Sequence, residues 1–302
     1  MRAKFKTRVE QIRQARRIHG GLVNLWAATV GVKLSRVPIP SRRLRERLYR
    51  RIYGSKYAAL CEDELERPLA EFRSLNELFT RGVRAERRPV AQGDGLFVCP
   101  CDGMVQEIGR LQQGALLTAK GVRYTLSSLL PGVDWQPFED GAYAVLFLSP
   151  ADCHRVFSPS QAALEEVIHV PGRRLLVHPP FQRAEFPVFV LNERVIMRFQ
   201  TPLRRYMLVL VAGWGVGNIT HPWRARPKHS RRRITRRRFE SPRDVASGEW
   251  VATFELGSTV ILIAESHGGV VSHIERDKQV HYGEPLFTFG VNGDEHRGEI
   301  GR

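Results

Sequence analysis

The sequence predicts an α+β protein, a basic helical N-terminal layer followed by a mainly antiparallel β domain. Three observations carry that expectation. The first 60 residues are rich in arginine and patterned at helical spacing. From about residue 95 the chain turns into short apolar runs rich in Val, Leu and Phe, bounded by Gly, Pro, Asp and Asn. No strand–helix–strand rhythm accompanies those runs, which argues against a wound parallel sheet.

In chain order, residues 1–80 read as helical and form the first region, with 81–302 as the β-rich domain. Phe5, Val9, Ile12 and Ala15 recur at three- and four-residue steps with arginines between them, and Leu44, Leu48, Tyr49, Ile52 and Tyr53 do so again. Leu22, Val23, Leu25 and Trp26 form an apolar patch between the two sets. Pro38 and Pro40 divide the region into at least two helical parts. The stretch from Leu65 to Thr80 repeats the helical spacing at Leu69, Phe72, Leu75, Leu78 and Phe79. Farther on, Ala142–Leu148, Ala163–Val170, Val188–Leu191, Val195–Phe199, Tyr206–Val211, Trp250–Phe254 and Thr259–Ala264 read as strands. The segment 225–248 is the best candidate for a mobile insertion.

The 302 residues, 42% hydrophobic and 26% charged, argue against global disorder and against a multi-span membrane protein. The longest uncharged stretches, Gly20–Val32 and Tyr206–Ile219, fall short of the roughly 20 apolar residues a spanning helix needs. The N-terminal stretch does not read as a secretion signal, because Glu10 and Asn24 interrupt it and no small-residue cleavage site follows. Four cysteines, Cys61, Cys99, Cys101 and Cys153, make no disulfide scaffold and suit a reducing compartment. The expected location is cytoplasmic and peripheral to a surface.

The net charge of +16 is concentrated. Residues 1–60 hold 16 Lys+Arg against Glu10 and Glu46, a net +14, and Arg224 to Arg238 holds nine basic residues and no acid. Such runs bind phosphate, either of nucleic acid or of an anionic membrane. The apolar residues among the N-terminal charges fit a basic amphipathic segment at a bilayer surface, and they also fit a helix packed on its own core, which is the commoner case. An anionic phospholipid membrane is the expected partner, and no nucleic acid is expected.

Familiar chemical motifs are mostly absent. There is no phosphate-cradling Gly-x-x-x-x-Gly-Lys loop, and Gly213-x-Gly215-x-Gly217 has the wrong spacing for a dinucleotide site. Cys99-x-Cys101 alone is too little for zinc, and no metal is expected. Cys153 and His154 would point to opposite faces of a strand, so they make a poor nucleophile–base pair. Three segments stand apart: Pro100-Cys101-Asp102-Gly103, Leu148-Ser149-Pro150-Ala151-Asp152-Cys153-His154-Arg155-Val156, and Leu256-Gly257-Ser258-Thr259-Val260-Ile261. Singly, each reads as a turn, a strand end or a bulge.

Together they resemble phosphatidylserine decarboxylases. Phe79-Thr80-Arg81 with Arg88-Pro89, Lys120-Gly121 with Tyr124-Thr125-Leu126, Val170-Pro171-Gly172 and Asn192-Glu193-Arg194-Val195 complete a series in matching order from about Asn76 to Phe287. The resemblance implies a carboxy-lyase made as a proenzyme that cuts itself between Gly257 and Ser258. The products are a β chain of residues 1–257 and a 45-residue α chain. Ser258 would become a pyruvoyl group, the covalent cofactor, which forms a Schiff base with the amine of phosphatidylserine and yields phosphatidylethanolamine. It further implies that Asp102 and a histidine assist Ser258 in self-cleavage and that His154 serves decarboxylation.

One departure matters. Family members commonly read His-Arg-Val-His where this chain reads His154-Arg155-Val156-Phe157, and the second His is the one assigned to the self-cleavage relay. Phe157 cannot relay a proton. Three readings stay open: His154 serves both steps, a substitute base such as His178 or His169 acts instead, or self-processing is lost or slow. The alternatives to a decarboxylase of phosphatidylserine are a non-processing lipid-binding homologue and a decarboxylase of another serine-linked lipid.

Overall fold

The segment Ser258–Ala264 is apolar everywhere but at its first two positions, so it fits only where both faces of a strand are covered. The computed structural model places it there. The structure describes residues 30–54, 59–117, 122–178, 182, 187–213, 218–223, 233–255, 257–266 and 268–290. In chain order the strands are β1 (Leu96–Val98), β2 (Gly103–Arg110), β3 (Ala115–Leu117), β4 (Arg123–Thr125), β5 (Ala142–Leu148), β6 (Arg155–Phe157), β7 (Ala162–Val170) and β8 (Arg194–Gln200). They continue as β9 (Arg205–Ala212), β10 (Ile219–Thr220), β11 (Thr235–Val245), β12 (Trp250–Phe254), β13 (Ser258–Ala264), β14 (Val270–Ser272), β15 (Gln279–Val280) and β16 (Pro285–Phe289).

An eight-stranded antiparallel sheet in the order β11-β7-β8-β9-β13-β5-β2-β15 forms the centre. Side chains alternate across it. Val260, Leu262 and Ala264 of β13 join Ala144, Leu146 and Leu148 of β5 in one apolar cluster. Two three-stranded sheets, β10-β12-β6 and β1-β16-β14, contribute Ile219, Phe254, Val156, Phe97 and Phe287 to the same cluster. Ile261 and Ile263, with Val145 and Phe147, face the other way into a second cluster. Short helices α3 (Leu126–Leu129) and α4 (Val188–Leu191) cover that side. The strands expected at Ala142–Leu148 and Trp250–Phe254 form with those bounds, and the others expected form within a residue or so, with one exception.

The exception is Val188–Leu191, which makes a helical turn instead of a strand. Four apolar residues are too few to show a period. Pro187 precedes the turn, and the Arg194 guanidinium donates to the carbonyls of Val190 and Asn192 at 2.9 and 3.1 Å, which satisfies its C-terminal end.

The N-terminal layer is less helical than its spacing implies. Helical residues 30–35 precede α1 (Arg42–Tyr53), capped by Ser41, whose hydroxyl accepts from the Leu44 N–H. Pro38 and Pro40 lie between them as expected. From Leu65 to Thr80 only α2 (Leu75–Phe79) is α-helical. Pro68 disfavours helix at Arg67, and Ser74 caps a fresh start by accepting from the Glu77 N–H at 3.1 Å. The periodic Leu65, Leu69, Phe72 and Leu78 instead reach one small core with Tyr49 and Tyr53 of α1. The N-terminal motif of Phe5 to Ala15 lies outside the described residues.

Of the segment read as a candidate mobile insertion, 225–232 lies outside the described residues. Thr235–Val245, by contrast, is the edge strand β11, paired with β7. Glu166 explains the place of the arginines: it accepts from Arg236 and Arg198. Phe239 is buried between the guanidinium groups of Arg237 and Arg243. Charge along an exposed edge, with a register break between Arg238 and Arg243 that contains Pro242, discourages pairing with another chain.

Candidate active site

Ser258 opens β13, in register with Leu148 of β5 and Ala212 of β9. Alternation directs it to the same face as Val260, into the space between the large sheet and the β10-β12-β6 sheet. It is fully buried, and its hydroxyl has no hydrogen-bond partner among the described residues. A buried hydroxyl left unpaired costs about 1–3 kcal/mol, so this one marks a reactive position rather than a stabilising one.

Gly257 precedes it with φ +32, in the region that disfavours side chains. Its carbonyl accepts the Gly213 N–H at 2.9 Å. A Cβ at position 213 would lie 2.5 Å from that carbonyl oxygen, so only glycine brings its amide this close. The contact polarises the bond that Ser258 would attack.

His154 is fully buried just before β6, and its carbonyl accepts the Phe254 N–H at 2.9 Å. That pairing continues the β6–β12 ladder, so His154 shares the face of Phe254 and Val156, the face toward Ser258. The Phe79 ring packs on the imidazole with centroids 3.9 Å apart. Nδ1 lies 3.0 Å from the Asp152 carbonyl oxygen, whereas Nε2 has no partner among the described residues. A carbonyl can only accept, so Nδ1 carries the proton and Nε2 the free lone pair. Burial pushes the imidazole down to about 3, which keeps it neutral.

Asp102 stands apart from His154. Its oxygens accept from Arg88 Nη2 at 2.9 Å and from the Tyr282 N–H at 2.9 Å, and His281 Nδ1 lies 3.8 Å away, too far for a hydrogen bond. Arg88 also grips Glu64 at 2.8 Å. Burial alone would raise the Asp102 carboxyl, yet His281, Arg88 and the Tyr282 amide together hold it below its ordinary value.

Phe157 stacks on Tyr282 beside Cys153. His178 meets the edge of Phe147, whose side chain lies in the cluster on the far face of the large sheet from Ser258. His169 sits on β7, three strands from β13, and pairs with Glu193 at 2.9 Å. Hence the structure brings His154 and Ser258 toward one interior and brings neither His178 nor His169 there. Arg88, Gly213, His281 and the Asp152 carbonyl were not assigned roles from sequence. Gly213 carried a visible signal in its glycine cluster; the others depend on strand register.

On the opposite face of the β10-β12-β6 sheet from this interior is a cleft of about 350 Å³ lined by Asn76, Thr80, Arg155, Thr220, Thr253 and Glu255, with Trp250 at its wall. Thr220, Thr253 and Arg155 are cross-strand neighbours and so share one face.

The sequence model of the family described as phosphatidylserine decarboxylase matches residues 75–288. A protein of Hamiltonella defensa named phosphatidylserine decarboxylase proenzyme is 34% identical over 245 residues, covering 78% of this chain and 85% of that protein. One of the same name from Bordetella petrii is 35% identical over 234 residues, covering 76% and 80%. Another, from Anaeromyxobacter sp. (strain K), is 34% identical over 259 residues, covering 83% and 89%. The chain therefore belongs to the phosphatidylserine decarboxylase family.

Proposed function

We propose that this protein decarboxylates phosphatidylserine to phosphatidylethanolamine at a membrane surface after cutting itself between Gly257 and Ser258. The observation that carries the reading is the Gly257–Ser258 junction: a buried, unpaired serine hydroxyl beside a carbonyl already polarised by the Gly213 amide. These residues fit a pyruvoyl group made from Ser258, because no hydrogen bond among the described residues ties up the hydroxyl that must react. Such a group supplies a carbonyl that accepts the substrate's primary amine and draws off electrons as CO2 departs.

This chain's residues do the rest. Strands β5 and β9 fix Ser258 from both sides, and the Gly213 N–H steadies charge on the Gly257 carbonyl oxygen. The α1 helix has one buried stripe, Tyr49 and Tyr53, and a second stripe of exposed Leu44, Leu48 and Ile52 among arginines. That second stripe supports peripheral attachment to an anionic membrane, on its cytoplasmic face.

The Phe157–Tyr282 stack favours one rival, a non-processing lipid-binding homologue. Intact mass of the purified protein under denaturing conditions separates the two. The decarboxylase reading expects a fragment of residues 1–257 and a 45-residue fragment with a blocked N-terminus. It also expects CO2 release from phosphatidylserine vesicles, and loss of both in Ser258→Ala. A single uncut chain without activity overturns it.

A further inference from the structure

We propose that His154 is itself the base for self-cleavage, with the Asp152 carbonyl as the group that orients it. The inference rests on the self-cleaving reading above and deepens it.

Four observations converge. The chain segments joining β5 to β6 and β12 to β13 are pinned together at both ends: Leu148 is in register with Ser258, and the His154 carbonyl accepts the Phe254 N–H. Strand alternation turns His154 and Ser258 into the same interior space. In that space Nε2 of His154 and Oγ of Ser258 are both buried and without a hydrogen-bond partner among the described residues. The Nδ1–H donated to Asp152 fixes the tautomer in which Nε2 is the acceptor, and the Phe79 ring holds the imidazole plane. Three other histidines among the described residues have partners elsewhere: His178 meets Phe147 on the other face of the sheet, His169 holds Glu193, and His281 lies beside Asp102 near the β15 edge.

The chemistry balances with one water. Ser258 Oγ turns onto Nε2 and gives up its proton as Oγ bonds to the Gly257 carbonyl carbon, and the oxygen's charge falls to the Gly213 N–H. The Gly257–Ser258 C–N bond breaks, and Nε2 returns the proton to the departing nitrogen, leaving an ester. Loss of the Ser258 α-proton to the same base expels the Gly257 carboxylate and leaves dehydroalanine. Its imine tautomer takes up water and releases ammonia, which leaves the α-keto terminus. Asp152 takes part only through its backbone carbonyl; its carboxylate accepts from the Ser149 N–H at 2.6 Å and from Gln279 at 2.8 Å.

The test is cleavage itself, read by intact mass over time after cell-free synthesis of the full chain. The variants are His154→Gln, His178→Gln and His281→Gln, each checked for folding by circular dichroism. The expected result is cutting of wild type, His178→Gln and His281→Gln at similar rates, with His154→Gln slowed at least 100-fold. Wild-type rates in a folded His154→Gln chain overturn the proposal. So does loss of cutting in folded His178→Gln or His281→Gln, an outcome that decides even where His154→Gln does not fold. A wild-type chain that stays uncut refutes the self-cleaving reading as a whole, which keeps the two failures distinct.

Discussion

The Phe157 ring lies on the Tyr282 ring with centroids 3.8 Å apart and planes 18° from parallel. Tyr282 is also the residue whose amide holds Asp102. An apolar stack therefore occupies the position where the resemblance led one to expect a histidine, and Asp102 is held by Arg88 and the Tyr282 amide. The family's expected chain of Asp102, histidine and Ser258 is not assembled here. His154, buried just before β6, keeps an Nε2 without a partner among the described residues, and under the proposal above it takes the relay's role.

Gly213→Ala should stall self-cleavage. The new Cβ would sit 2.5 Å from the Gly257 oxygen, so the amide has to withdraw from the carbonyl it polarises. Removing one such donor typically costs about 10²- to 10³-fold in rate. Intact-mass time courses should show the uncut chain accumulating, while circular dichroism stays near wild type. Cutting at the wild-type rate would show that the Gly213 contact has no part in the chemistry.

Arg88 and Asp102 should prove more important to stability than their distance from His154 suggests. Their side chains are each 3% exposed. Removing one partner strands the other charge in the interior, at a cost of about 3–5 kcal/mol. In urea titrations on an uncut Ser258→Ala background, Arg88→Met and Asp102→Leu should each show that loss. The double variant should recover much of it, since neither charge is then left alone. Additive losses would argue against a direct pair.

Much of the fold was legible because burial on both faces writes itself into sequence as an unbroken apolar run, as at Ala142–Leu148 and Ser258–Ala264. Val188–Leu191 carries the same kind of run but is too short to reveal its period. Leu65 to Thr80 shows helical spacing because its side chains must reach Tyr49 and Tyr53, which an irregular path with Pro68 and Ser74 also achieves. At the site, Ser258, His154 and Asp102 stood out in their motifs. His281 did not, because only the pairing of β15 with β2 carries it alongside Asp102. Gly213 stood out only as one of a glycine cluster; what it contacts was hidden, because its partner, Gly257, lies 44 positions later, next to the register of β9 with β13.

The exposed stripe of α1 predicts a two-part membrane affinity. Leu44 is 55% exposed and Ile52 37%, with Leu48 between them, and none belongs to an internal cluster. Changing Leu44 and Ile52 together to Ser should weaken binding to phosphatidylserine-containing vesicles in sedimentation assays, with the residual binding lost in high salt. Because Tyr49 and Tyr53 hold the helix on the body, thermal stability should be nearly unchanged. Unaltered vesicle binding would place the membrane contact elsewhere.

Burial of His154 predicts an acid sensitivity of the uncut chain. Its folded value of about 3 lies below the ordinary 6.5, so the unfolded chain takes up a proton that the folded one refuses. Stability from this source is complete above about pH 6.5 and falls as pH drops toward 3, by up to about 1.4 kcal/mol per pH unit. Between pH 6.5 and 5 the loss should therefore be about 2 kcal/mol. His178, also lowered by burial, acts with the same sign, whereas His281, raised beside Asp102, loses its contribution only as pH rises. Glu193, held at about 2 against burial by His169 and Arg174, loses its contribution only at lower pH. Urea titrations of Ser258→Ala and of Ser258→Ala/His154→Gln across this window isolate the His154 share as the difference in slope. Parallel slopes would mean that His154 is protonated in the folded chain, and Nε2 would then have no lone pair with which to take the Ser258 proton.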